Sequence, residues 1–534
     1  MSKASLARAS TVMAVLLLVS KGAGFLRESV VASAFGAGLV KDSQTVAYIL
    51  PALFLILLGG LNGPFHLATM GAITRLQARG EGERVRDLVA TILVGTLLLT
   101  GLLGGAIALG APAVIRVLGP RLSPEALDLA ARQLVVMAPL IPIGGLIGVL
   151  CGVQNVGGKF ASASLSPLVS SVTVIAWVLI SPDAVSIAWG TLAGALGQLL
   201  LQGGSVVRNW QTLVGGGAGR VNLRDPEFRA MLGVLGPAAL TSSIGTLNVA
   251  IATAFASRLP AGTISTFNYA NLLLQLPMGI LLTALLVPMF PRLSEAAARE
   301  DHAGLLEWLE RGTGLLLVTM VPLAALVAML GAPAIQLAFE RGAFGPEDTL
   351  RTAMALAILA VSMPLYSVRD LYARFFYARQ ESRVTATITL LSVGANIGFN
   401  TLLLPWGLAG LATATVLVTA FNLVALGFHL RRRLGTLTLG RQAPRLGRLA
   451  LALLPGLGWP LLIRGWSPWS GLAGALFQLV VAGGGAMVLI LATLAWLREP
   501  MLGSIPGLRG RLDRVRPPEN RSSSEDPGIV AQGD

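Results

Sequence analysis

Fourteen windows of apolar sequence, each near the length that crosses a bilayer, leave this chain little choice of fold. They fall at about 9–35, 45–70, 88–110, 127–150, 160–181, 185–207, 228–256, 264–290, 312–338, 351–376, 384–404, 408–430, 446–463 and 471–497. A hydrocarbon core about 30 Å thick takes about 20 residues of helix, because backbone N–H and C=O groups find no water there and must be satisfied within the segment. Composition agrees. Hydrophobic residues make up 54% of the chain and charged residues only 12%, with a mean hydropathy of +0.73, whereas a soluble domain carries about 25% charged residues. The sequence predicts an all-α, polytopic membrane protein of about 14 transmembrane helices with little mass outside the membrane.

The net charge of +14 does not point to nucleic acid, because the basic residues are spread over short loops. The richest clusters are Arg75, Arg79, Arg84 and Arg86; Arg431, Arg432 and Arg433 with Arg441, Arg445 and Arg448; and the C-terminal tail. Basic loops mark the cytoplasmic side, which predicts a multi-pass protein with both termini inside. Lys3 and Arg8 before the run 11–19 imitate a signal peptide, but no small-x-small cleavage site follows, so an uncleaved first span is expected. The single cysteine, Cys151, excludes an intrachain disulfide framework. Three scattered histidines (His66, His302, His429) argue against zinc or haem, so neither a metal nor a cofactor is expected.

The chain repeats itself. Leu109-Gly110-Ala111-Pro112-Ala113 returns as Leu330-Gly331-Ala332-Pro333-Ala334, at an offset of 221, and Val136-Met137-Ala138-Pro139-Leu140 is matched by Val361-Ser362-Met363-Pro364-Leu365, at 225. Ala32-Ser33 with Ala37-Gly38 is matched by Ala256-Ser257 with Ala261-Gly262, and Gln198 by Asn422, both at 224. Six spans per repeat, an even number, give the halves the same orientation. The expected architecture is two parallel six-helix lobes, 1–215 and 216–436, then two additional helices in 437–498. A disordered cytoplasmic tail is expected at 499–534, where Pro, Gly, Arg, Ser and acids replace apolar sequence.

Charge inside the first span carries the functional reading. The run Ser20-Lys21-Gly22-Ala23-Gly24-Phe25-Leu26-Arg27-Glu28 lies where only apolar residues are expected, and an ionisable residue at the membrane centre costs about 2.5–3.5 kcal/mol on insertion scales. Gly22 and Gly24 loosen the helix beside Lys21, the usual preparation for backbone lining a polar cavity. Ser20 and Arg27 share a stripe with Gly24, and Lys21 and Glu28 the next one. An anionic substrate gripped by Lys21 and Arg27 is one reading; a snorkelling Lys21 and an interfacial Arg27–Glu28 pair are the other. At the repeat offset these charges fall on Gly245, Ile251 and Ala252, so the fold does not require them. Asp42 is expected to pair with Lys41 or Arg27 or to cap a helix. Asn62 and His66, in a stretch rich in Gly and Pro, suit substrate hydroxyls or helix contacts. Arg369 beside Asp370 is either a neutralised pair or a cavity cation. Asn248, Asn396 and Asn400 are either a cation site or interhelical hydrogen bonds. No grouping of nucleophiles or acids in a loop suggests an enzyme.

The opening motif, continued by Phe35-Gly36-Ala37-Gly38, Asp42 and Pro51, resembles the MurJ (MviN) family, lipid II flippases of the multidrug/oligosaccharidyl-lipid/polysaccharide exporter superfamily. Arg374-Phe375-Phe376-Tyr377-Ala378 is similar to the family's segment at the end of the tenth span. The resemblance implies transport of the lipid-linked peptidoglycan precursor (lipid II) from the inner to the outer leaflet by alternating access, within cell-wall biogenesis and cell-shape maintenance. It implies a place in the bacterial plasma membrane and carries the family's substrate residues onto Lys21, Arg27 and Asp42; with Glu28, Ser20, Asn62 and Arg369 from the reading of the residues, these form the expected substrate-binding set. The implied partners are lipid II or a related polyprenyl-diphosphate glycan, membrane lipids and cell-wall synthesis proteins. The chain departs from the family where Ala52-Leu53-Phe54-Leu55-Ile56 and Tyr269-Ala270-Asn271-Leu272 lack the usual basic residues, and where Ala252 stands in place of an acid. The alternatives are export of another polyprenyl-linked glycan and a non-transporting scaffold.

Overall fold

The computed structural model describes residues 3–59, 63–158, 161–215, 217, 219–435, 440–463 and 471–504. Among these residues no strand forms. The first half comprises α1 (Lys3–Phe35), α2 (Leu39–Phe54), α3 (Pro64–Ala78), α4 (Gly82–Leu109), α5 (Ala111–Leu118), α6 (Pro124–Met137), α7 (Leu140–Val156), α8 (Ala161–Ile180) and α9 (Ser186–Arg208), with a short α10 (Trp210–Leu213). The second half comprises α11 (Pro226–Ala256), α12 (Thr263–Leu286), α13 (Met289–Ala298), α14 (His302–Met329), α15 (Gly331–Phe339), α16 (Pro346–Ala360), α17 (Ser362–Ala378), α18 (Ser382–Leu403) and α19 (Gly407–Leu434). Then come α20 (Ala443–Ile463), α21 (Gly471–Phe477) and α22 (Gly484–Trp496). Each apolar window coincides with one helix or one broken helix. By length and apolarity alone, eight continuous helical stretches of the described residues could cross a membrane, or nine counting one bent pair.

The sequence repeat turns out to encode breaks. The Leu-Gly-Ala-Pro-Ala copies lie at the α4/α5 and α14/α15 junctions, and the Met-Ala-Pro and Ser-Met-Pro copies at α6/α7 and α16/α17, the last bent by 41°. In each case proline falls in the first turn after the break or beside it, where its missing N–H costs nothing. The expected loosening of α1 at Gly22 and Gly24 does not occur, and α1 runs unbroken through both. A single glycine costs a helix about 1 kcal/mol, too little to open hydrogen bonds that have no other partner in a bilayer. The break comes in the second span instead, where Pro51 precedes a π-helical turn at Leu55–Gly59 and α3 restarts at Pro64.

The halves meet at the end where α1 finishes. Ala343 N–H donates to the Ser33 carbonyl at 2.8 Å, and Gly262, at φ +88°, approaches Ala37 where a Cβ would collide with its carbonyl. At the opposite end, α11 is tied to the first half. Glu227 receives Arg75 and Arg79, each at 3.1 Å, and Asp225 lies 3.6 Å from Arg84. After α22, Glu499 is fully buried against Arg445 and Arg448, and Leu502 joins the second half's core. The expected tail is therefore anchored through its first residues, and 505–534 lie outside the described residues.

Candidate functional site

A cavity of about 710 Å³ opens between the halves. Helix α1 contributes Lys21, Gly24, Arg27 and Glu28, which recur at spacings of three and four and therefore share one face, with Gly22 beside them. Helix α2 adds Lys41, Gln44, Thr45 and Tyr48, α8 and α9 add Val174 and Thr191, and α12 of the second half forms the opposite wall with Asn268, Leu272 and Gln275. Thus the fold sets the charged stripe of the first span against a polar, uncharged helix from the other lobe.

The charges form one network around Glu28. Arg27 Nη2 donates to Glu28 Oε1 at 2.8 Å and Lys41 Nζ to Glu28 Oε2 at 2.9 Å, so each carboxylate oxygen holds a cation. Lys41 also donates to Gln44 Oε1 at 3.0 Å, and its ammonium stands 5.8 Å from the centroid of the Tyr269 ring on α12. Its relative exposure is only 3%. A lysine this buried needs such partners, because stripping an ion of water costs several kcal/mol. Lys21 has no carboxylate partner among the described residues, and its Nζ points toward Gly279 of α12. Three cations and one anion leave the cavity positively charged. This inventory suits an anion that accepts charge-assisted hydrogen bonds from Lys and Arg.

The remaining candidates separate. Asp42 is buried but faces away from the cavity, accepting from the backbone N–H groups of Gly262 at 2.6 Å and Ser265 at 2.7 Å. It caps α12 across the lobe boundary rather than pairing with Lys41 or Arg27, because an N-terminus offers unsatisfied donors and a positive dipole end. Ser20 is buried and does not line the cavity. Arg369 is not a partner of Asp370. Its guanidinium lies 4.5 Å from the Tyr366 ring centroid, and Asp370 pairs with Arg374 at 3.2 Å, one turn on, where helix geometry brings side chains together. Neither lines the cavity. Asn62 lies outside the described residues. His66 is packed within the first half, its Nε2 2.9 Å from Asn155 Nδ2. Asn396 donates to Asn248 Oδ1 at 2.8 Å, and Asn400 to the Asn396 carbonyl at 2.8 Å, a ladder joining α11 and α18.

With this geometry in place, likeness to known proteins becomes informative. The profile of the family described as Lipid II flippase MurJ matches residues 31–480. The probable lipid II flippase MurJ of Synechocystis sp. is 34% identical over 479 residues, which cover 86% of this chain and 88% of that protein. This chain belongs to the MurJ family. A MurJ relative from Burkholderia cenocepacia, named lipid II flippase MurJ, is 28% identical over 80% of this chain and 84% of its own. Among solved structures, a MurJ in an inward closed conformation superimposes with a TM-score of 0.74 at 19% identity, covering 92% of this chain and all of that one. An inward-facing MATE transporter of the MOP superfamily gives 0.62 at 17% identity over 77% and 94%. At these identities the two structures establish a shared all-helical fold.

Sequence reasoning placed the α1 charges but missed Lys41 as a cavity residue of this MurJ family member, treating it only as a partner for Asp42. A signal was present: Lys41 and Gln44 are i and i+3 at the head of an apolar span, an arrangement that desolvates both unless they find partners. Glu28 stood out in the same reading, but its pairing with Lys41, and the Tyr269 ring from the other half, depend on how the helices pack.

Proposed function

We infer that this chain is a lipid II flippase that carries the lipid-linked peptidoglycan precursor from the inner to the outer leaflet by alternating access. Membership of the MurJ family supports this, and one observation gives it chemistry: Lys21, Arg27 and Lys41 converge on a cavity of about 710 Å³ between two lobes. A diphosphate is the part of such a lipid that three cations would hold, and Glu28 would occupy Arg27 and Lys41 until it arrives. In this reading the α2–α12 contact around Asp42 is the outer gate. On the same reading both termini lie in the cytoplasm, which the basic loops support.

The test is complementation of a flippase-depleted bacterial strain. The Lys21→Ala/Arg27→Ala double variant is expected to express and insert normally yet fail to support growth. Full complementation by that variant would refute the assignment of these residues and favour a non-transporting scaffold. Mass spectrometry of co-purified lipid separates lipid II from other polyprenyl-linked glycans.

A further inference from the structure

A second cavity, of about 230 Å³, adjoins the first, and the two share Thr45 and Asn268. Among the described residues its lining contains no ionisable side chain; the polar ones are all asparagines and threonines from α2, α11, α12, α18 and α19. Their hydrogen bonds leave a defined set of groups unused. Thr253 donates to the Val249 carbonyl at 2.9 Å and Thr419 to the Thr415 carbonyl at 2.9 Å, so each hydroxyl proton is engaged and its oxygen remains an acceptor. Asn268 and Asn271, one turn apart on α12, make no side-chain hydrogen bond to the described residues and offer both amide donors and acceptors. Apolar surface from Val249, Ala252 and Val418 completes the wall.

Such a lining is poor for a metal ion, because it supplies no charge and Asn248 Oδ1 is already bonded to Asn396. It matches an uncharged ligand rich in hydroxyls and amides, whose groups need about one donor or acceptor each. Position adds to chemistry. Thr45 lies one turn beyond Lys41 on α2, so a diphosphate held by Arg27 and Lys41 would direct its attached group past Thr45 toward Asn271. We propose that this second cavity is the subsite for the neutral sugar joined to the diphosphate, with Asn271, Thr253 and Thr419 reading its hydroxyl and amide groups. The proposal rests on the flippase reading above and assigns the glycan end of that substrate to the second lobe.

The test uses the purified full-length protein with two probes, a polyprenyl diphosphate and lipid II, whose affinities are compared for wild type, Asn271→Leu, Thr419→Val and the double variant. Wild type should prefer lipid II. Each lost hydrogen bond should reduce that preference several-fold and the pair by about tenfold or more, while affinity for the bare diphosphate lipid and the melting temperature stay at wild-type values. Lys21→Ala/Arg27→Ala should weaken both lipids alike. An undiminished preference in the double variant overturns the sugar subsite and leaves the flippase reading standing, as does wild-type protein that binds both lipids equally. Wild-type protein that binds neither overturns both. Loss of affinity for both lipids in the double variant also refutes the subsite, since the residues would then be shaping the whole cavity.

Discussion

Removing the Asp42 carboxylate should unlatch the lobes at one end. Its two oxygens accept backbone N–H groups of Gly262 and Ser265 at 2.6 and 2.7 Å, and both donors belong to the other half. Hydrogen bonds to a charged group contribute about 1.5–3 kcal/mol each. Asp42→Ala removes two and leaves the first turn of α12 without its cap, so the closed arrangement should lose at least about 3 kcal/mol relative to one in which the ends have parted and water solvates those groups. At 1.4 kcal/mol per factor of ten, the closed-to-open ratio falls by at least about a hundredfold. Asp42→Asn keeps one acceptor oxygen and should lose about half as much. Spin labels at the exposed positions Glu125 and Glu347, one in each half near that end, report the separation by pulsed electron resonance in a Cys151→Ala background. A longer-distance population should grow in the order wild type, Asp42→Asn, Asp42→Ala. An Asp42→Ala distribution that overlays wild type would show that the contact carries none of the closing energy.

Two further expectations concern buried ions. Lys41→Met strips one cation from Glu28, and breaking a buried pair costs about 3–5 kcal/mol, so thermal unfolding should come distinctly earlier, with Lys41→Arg recovering most of the loss; equal melting of Lys41→Met and wild type would refute a tight pair. Beyond the last span, burial pushes the Glu499 carboxyl up, but hydrogen bonds from Arg445 and Arg448 outweigh it and hold its pKa below the usual 4.5. A depressed folded-state value means the contribution is complete above pH 4.5 and fades as pH falls through the folded value. Wild type should therefore lose more stability than Glu499→Gln on acidification below that pH, and parallel melting-versus-pH curves would contradict the pairing.

What the sequence made legible was whatever depends on local order. Apolar length revealed every span, and Pro112, Pro139, Pro333 and Pro364 marked junctions that recur in both halves, since proline restricts backbone within a residue or two. The α1 charges were visible because a bilayer penalises them at once. Contacts between lobes were not visible in this way. Asp42 reads as a capping residue, but nothing near it in sequence says that the helix it caps begins at Thr263. Arg369 and Asp370 looked like a pair because they are adjacent, whereas Asp370 turns to Arg374 one turn on and Arg369 to the ring of Tyr366. Lys41 was undervalued for the complementary reason: its carboxylate partner lies in α1 and the aromatic ring beside it in α12, and burial depends on packing that composition does not encode.

The double attachment of α11 has a mechanical consequence. Its N-terminal end is pinned to the first half by Glu227 and Asp225, and its C-terminal half to α18 by Asn248. At 1.5 Å per residue its 31 residues form a rod about 46 Å long. While that rod stays helical and pinned, the lobes cannot draw apart along it, and their relative motion reduces to turning about its axis or swinging on its end joints. The first helix of the second half thus also acts as an axle between the two.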